Sequence, residues 1–134
     1  MNTHSGIEAL LRARRHWNEG HLAGYLELYS PEAVLHGYAG VTPGLEGIRN
    51  FYEKFWSAFP HSTLAFDDLF ADGDKVVCRL TVSGRHTGEF QGLPPTGREF
   101  SIPAITILRF AGDRCVERWS QADFLSLLQQ LGAP

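Results

Sequence analysis

The chain has 134 residues, a formal net charge of −3 and 43% hydrophobic residues, the size of one domain spanning residues 1–134. Twelve basic against fifteen acidic residues leave no cationic excess for a phosphate backbone, and no apolar run nears the ~18–20 residues of a membrane span, so neither nucleic acid nor membrane is expected as a partner. The start, Met1-Asn2-Thr3-His4, has the pattern of neither a secretory signal nor a transit peptide, which points to the cytoplasm, and two cysteines are too few for a disulfide scaffold.

The first third reads as helix. Ile7, Leu10, Leu11 and Trp17 recur near spacings of 3, 4 and 7, with Ser5 as the expected N-cap and Glu8 completing a capping box. Gly20 interrupts, and Leu22, Tyr25, Leu26 and Tyr29 form a second, shorter stripe before Pro31. An extended piece covers Ala33 to Tyr38. A third helix carries Ile48, Phe51, Tyr52, Phe55 and Phe59 on one stripe, with Trp56 beside it, and ends before Pro60. Strands are expected over Thr63–Phe70, Lys75–His86, Arg98–Phe110 and Arg114–Ala122, with turns at Asp72-Gly73 and Gly112-Asp113 and a loop at Gly92–Gly97. Phe124–Leu131 closes the chain as a helix.

Helices first and strands second, with short turns between the strands, give an α+β fold with helices packed on an antiparallel sheet. In Arg98–Phe110 both parities are apolar: Phe100, Ile102, Ala104 and Leu108 on one, Ile105 and Ile107 on the other. A strand apolar on both faces is covered on both. Helices cover one face, and a second copy of the chain is expected on the other, hence a homodimer.

Common catalytic signatures are absent, and the six histidines show no metal-ligand spacing, so neither metal nor cofactor is expected. Asp123 shares the parity of Trp119. A carboxylate beside a buried indole loses solvation and is favoured as the neutral acid, the form a general acid or base uses near neutrality. Asp123 also stands where an N-cap for the last helix belongs. Arg79 shares a strand face with Val77, Thr81 and Ser83; that face is either solvated or the lining of a polar cavity in which the arginine orients a carbonyl. His36 is a further donor or proton carrier, with His86 a weaker one. Trp17, Tyr25, Trp56, Phe59 and Trp119 are core residues that double as cavity wall in a pocketed fold.

Read together, these segments resemble the SnoaL-like polyketide cyclase family of the nuclear transport factor 2-like fold. The stretch Gly84-Arg85-His86-Thr87-Gly88 to Gly92-Leu93-Pro94-Pro95-Thr96-Gly97 is similar to the family's GxHTGxxxGxPPTG pattern, and Gly112-Asp113-Arg114-Cys115-Val116-Glu117-Arg118-Trp119 to its DGKIVEHW. Gly44-Leu45-Glu46-Gly47 and Phe59-Pro60 resemble an earlier family segment. The resemblance implies a cone-shaped α+β barrel around an apolar cavity that takes a hydrophobic small molecule. It implies cofactor-independent ring closure by intramolecular aldol condensation, with the acid/base aspartate at Asp123.

Catalytic roles are therefore expected for Asp123, Arg79 and His36. Substrate contacts are expected from Trp17, Tyr25, Trp56, Phe59, Thr81, His86, Arg109 and Trp119. Arg118 stands where the resemblance has a histidine, and Arg109 where some relatives carry one. Limonene epoxide hydrolases, a related branch, use an Asp-Arg-Asp set; Asp123 and Arg79 match two members, but the third is Thr81, which weakens that alternative. A non-catalytic binding module of the same fold is the other alternative.

Overall fold

The computed structural model describes residues 3–38 and 40–132, with side chains from Ser5 onward. Its elements run α1 (Thr3–Asn18), α2 (Leu22–Leu26), β1 (Tyr29–His36), α3 (Leu45–Ala58), β2 (Thr63–Asp72), β3 (Lys75–Arg85), β4 (Glu99–Ala111), β5 (Arg114–Ala122) and α4 (Phe124–Gln130). Helices precede most strands, as the sequence implies. Two boundaries differ. Helix α1 starts at Thr3, so Ser5 lies inside its first turn rather than capping it, and its hydroxyl donates to the Gly112 carbonyl at 3.2 Å. The second stripe folds as one short helix and then extends from Tyr29 as a strand.

The sheet order is β1-β5-β4-β3-β2. The β2–β3, β3–β4 and β4–β5 pairs are antiparallel, while β1 runs parallel to β5. Strands β1 and β2 are its two edges, so the sheet is an open, curved surface rather than a closed barrel. Register shifts at Asp67 in β2 and at Val116 in β5, opposite Arg109 and Phe110 of β4, are bulges, which bend a strand and re-aim the residues beyond them.

Each helix buries the face its spacing predicts. Leu10, Ala13 and Trp17 of α1 and Ile48 and Tyr52 of α3 are buried in the main core with Val76, Cys78, Leu80, Leu108 and Phe110 of the sheet. A second cluster, Phe59, Phe90, Phe100, Ile102, Leu127 and Leu131, closes the other end. Burying aliphatic or aromatic side chains of this size contributes roughly 1.5–3 kcal/mol each.

The segment richest in family-like residues belongs to this second cluster. His86 is fully buried against Phe59, ring centroids 5.5 Å apart. Its Nδ1 accepts from the Thr96 backbone N–H at 3.2 Å and lies 3.0 Å from the Thr96 hydroxyl. The Thr87 and Gly88 amides both donate to the Ala58 carbonyl at the end of α3. A Cβ at position 88 would stand 2.1 Å from the Ser57 carbonyl oxygen, so only glycine permits that approach. The motif ties a loop to a helix end.

Candidate active site

Strand β5 reveals how the interior is chosen. The bulge opposite Arg109 and Phe110 lets β5 step from Cys115 directly to Glu117 in the pairing. Beyond it the inward set becomes Arg118, Ser120 and Ala122, and Glu117 and Trp119 turn to the opposite face. This overturns the expected burial of the Trp119 ring, which lies on the outer face, and Cys78 and Cys115 are both in the buried interior.

The inward residues of β3, β4 and β5 face α1, α2 and α3 across a small cavity of about 100 Å³. Trp17, Tyr25, Phe51, Tyr52, Phe55, Leu80 and Ile102 give it an apolar wall; Thr106, Arg118, Ser120 and Tyr38 give it one polar seam. A larger, more polar cleft of about 580 Å³ lies beside it between α3 and the segments around Val41 and Glu89, and the two share the rings of Phe51 and Phe55.

The seam is a continuous hydrogen-bond chain. The Tyr38 hydroxyl is 2.8 Å from the Ser120 hydroxyl, which is 2.8 Å from that of Thr106. Arg118 Nε donates to Thr106 Oγ1 at 2.8 Å, and its Nη1 donates to the hydroxyls of Tyr29 at 2.6 Å and Tyr25 at 3.1 Å. Tyr29 continues to Tyr52 at 3.0 Å.

Arg118 is only 7% exposed, and none of the ion pairs among the described residues includes it. Burial pushes the phenols of Tyr25, Tyr29 and Tyr52 above their ordinary range, so at neutral pH they are uncharged. Burial opposes the charge on Arg118, but the tyrosine oxygens around it outweigh that, and it is held well above the usual arginine range. It is a buried cation whose partners at neutral pH are hydroxyls.

The other expected site residues fall in different places. Trp17 and Tyr25 line the cavity as expected. Trp56 packs behind Trp17 with ring centroids 4.5 Å apart and donates to the Pro60 carbonyl. Phe59 and His86 belong to the second cluster, away from the cavity lining.

Arg79 is exposed and pairs with Asp68 at 2.6 Å, and Thr81 donates to Asp67. Both lie on the outer face of the sheet, because the inward parity of β3 is that of Cys78 and Leu80. His36, Arg109 and Trp119 share that outer face. His36 stacks on Trp119 and lies 2.8 Å from Glu117, which also accepts from Arg109 at 3.0 Å. The hydrogen bond to His36, then that to Arg109, holds the Glu117 carboxyl below its usual range.

Asp123 is exposed, and its Oδ1 accepts from the Ser126 amide at 2.9 Å, capping α4. Its chain neighbours Ala122 and Phe124 line the cavity, whereas Asp123 itself does not. The expected dry carboxyl beside an indole is therefore a solvated helix cap. Away from the cavity lining, His16, Glu19 and His21 bring ligating atoms within 4.8 Å of one another at the end of α1, a grouping that their sequence spacing did not suggest.

Comparison with known proteins agrees with this architecture. The model of the SnoaL-like polyketide cyclase family matches residues 7–131, and the chain belongs to that family. The aklanonic acid methyl ester cyclase DauD of Streptomyces sp. (strain C5) is 35% identical over 132 residues, covering 96% of this chain and 82% of its own. The structure of TsrD from Streptomyces laurentii superposes with a TM-score of 0.88 at 31% identity, covering 100% of this chain and 99% of TsrD. A Catenulispora acidiphila protein with a ketosteroid isomerase-like fold, at 18% identity and TM-score 0.80 over 95% of this chain and 94% of its own, shares the fold.

Proposed function

We propose that the chain is a polyketide cyclase-type enzyme working without a cofactor. A hydrophobic ketone enters the cavity with its carbonyl oxygen toward Arg118. Asp123, flanked in the chain by the lining residues Ala122 and Phe124, removes a proton from the neighbouring carbon, the enolate attacks a second carbonyl of the same molecule to close a ring, and the protonated Asp123 returns the proton to the alkoxide so formed. The observation that carries this reading is the buried guanidinium with no carboxylate partner. A fixed cation placed where negative charge develops stabilises the transition state, and one such donor is worth roughly 2.7–4 kcal/mol. Apolar walls that fold the substrate replace a bimolecular encounter with a local one. None of the described lining residues is Asp, Glu, His or Cys, and we assign the acid/base role to Asp123, whose chain neighbours Ala122 and Phe124 line the cavity. Its relatives' names support the reaction class.

The test is α-proton exchange of an apolar 1,3-keto ester in D2O, followed by NMR. The wild-type protein accelerates the exchange and Asp123→Asn does not; equal rates would remove Asp123 from the mechanism. A second reading, a non-catalytic binding module, draws on the cavity of about 100 Å³, below the ~300 Å³ at which ligand sites begin, and on the capping bond of Asp123. Water addition to an epoxide loses its footing with Arg79 on the outer face.

We also propose that the protein is a cytoplasmic homodimer formed through that outer face. Phe70, Val77, Ile107, Trp119 and His36 are successive register partners across the whole sheet, Ile105 is 52% exposed and Phe70 56%. Ile105→Asp is expected to halve the mass in sedimentation; a monomeric wild type would contradict the proposal.

A further inference from the structure

We infer that the ketone this cavity prefers is an anion, an apolar molecule that carries a carboxylate or a strongly acidic enol beside its reacting carbonyl, over the corresponding neutral ester. This rests on the preceding reading and deepens it by naming the charge of the substrate. A buried cation demands a counter-charge, and none of the described residues that line the cavity is acidic. Glu117, the adjacent carboxylate in sequence, is turned outward and held by His36 and Arg109. Asp67 and Asp68 lie on the outer face with Thr81 and Arg79, and Asp123 is exposed. Nε and Nη1 of Arg118 are committed to Thr106, Tyr25 and Tyr29, whereas Nη2 has no hydrogen bond among the described residues. An unpartnered guanidinium nitrogen on a side chain lining an apolar cavity is the donor that a carboxylate oxygen or enolate accepts from most strongly. The ligand's body would lie against Trp17, Phe51, Phe55 and Leu80. DauD is named for a methyl ester; the charge at Arg118 calls here for an unmasked acid.

The probes are 2-naphthoate, its methyl ester and the cation 2-naphthylmethylammonium, titrated into the full chain at pH 7.5 by calorimetry and by quenching of tryptophan fluorescence. The wild type is expected to bind naphthoate roughly tenfold or more tighter than the ester and to exclude the cation. Arg118→Met is expected to erase that preference. Equal binding of acid and ester, binding of neither, or a preference surviving in Arg118→Met would overturn the inference. If Arg118→Met does not fold, the order of the three probes on the wild type decides alone. Keto-ester proton exchange on the same sample separates the two claims: exchange without acid preference sinks only this inference, and acid preference without exchange sinks only the cyclase reading.

Discussion

Replacing Arg118 by methionine tests the site through stability as well as activity. The change removes three hydrogen bonds, to Thr106, Tyr25 and Tyr29, each contributing about 1.5–3 kcal/mol when the donor is charged. No hydroxyl is orphaned. Tyr25 and Tyr29 keep each other at 2.8 Å, Tyr29 keeps Tyr52, and Thr106 keeps the Trp119 carbonyl at 3.0 Å and Ser120. Against this stands the desolvation of a buried ion with no carboxylate partner, several kcal/mol even after relaxation. The three bonds together, about 4.5–9 kcal/mol, and the desolvation penalty are of similar size, and because the remaining polar groups stay satisfied we expect the net change to lie within about 2 kcal/mol of zero. In a domain of this length that keeps Tm within roughly 6 °C of the wild type. The assay is thermal and urea unfolding with the m value checked for constancy. A loss of more than about 2 kcal/mol would show that Arg118 is chiefly a structural hub, and the reasoning that it is held for the sake of a ligand rather than for stability would be refuted.

Asp123→Asn should leave Tm unchanged, because Asn caps a helix as well as Asp, while Asp123→Ala should lose about 1 kcal/mol in urea unfolding. Arg79→Gln should change stability by less than about 0.5 kcal/mol, the scale of an exposed pair, and leave keto-ester exchange intact; a loss of exchange would restore Arg79 to the site. Burial pushes the thiols of Cys78 and Cys115 up to about 11, so both should resist a disulfide reagent at pH 8 until the protein unfolds. The sign follows from linkage: groups raised on folding contribute stability that is present below their ordinary value near 9 and lost as pH climbs toward about 11. Urea midpoints should therefore fall across that window, and a flat profile would contradict the burial of the thiols.

Periodicity located the helices and the strands β2 to β5 because burial on one face writes a period of 3.6 or 2 into the chain, but it read Tyr29, the first residue of β1, as part of the helical stripe before it. The apolar walls at Trp17 and Tyr25 were legible for the same reason, as was the Asp123 cap, where residue type and position coincide. The polar seam was not. Arg118 became an interior residue because a single bulge shifted the parity of β5, and a bulge leaves little trace in residue spacing. Trp119, whose bulk predicts a buried ring, lies on the outer face because of that same step. His86 drew attention through a motif that proves to anchor a loop. Arg79 illustrates the limit of alternation: the pattern separates two faces correctly but does not say which is wet.

The central claim is that a lone buried cation stabilises an enolate inside this cavity. Its most direct measurement is keto-ester α-proton exchange in D2O by folded Arg118→Met beside the wild type. The account predicts that exchange falls roughly a hundredfold or more, the scale of one lost oxyanion donor, while the variant stays folded. Undiminished exchange by a folded Arg118→Met would contradict it.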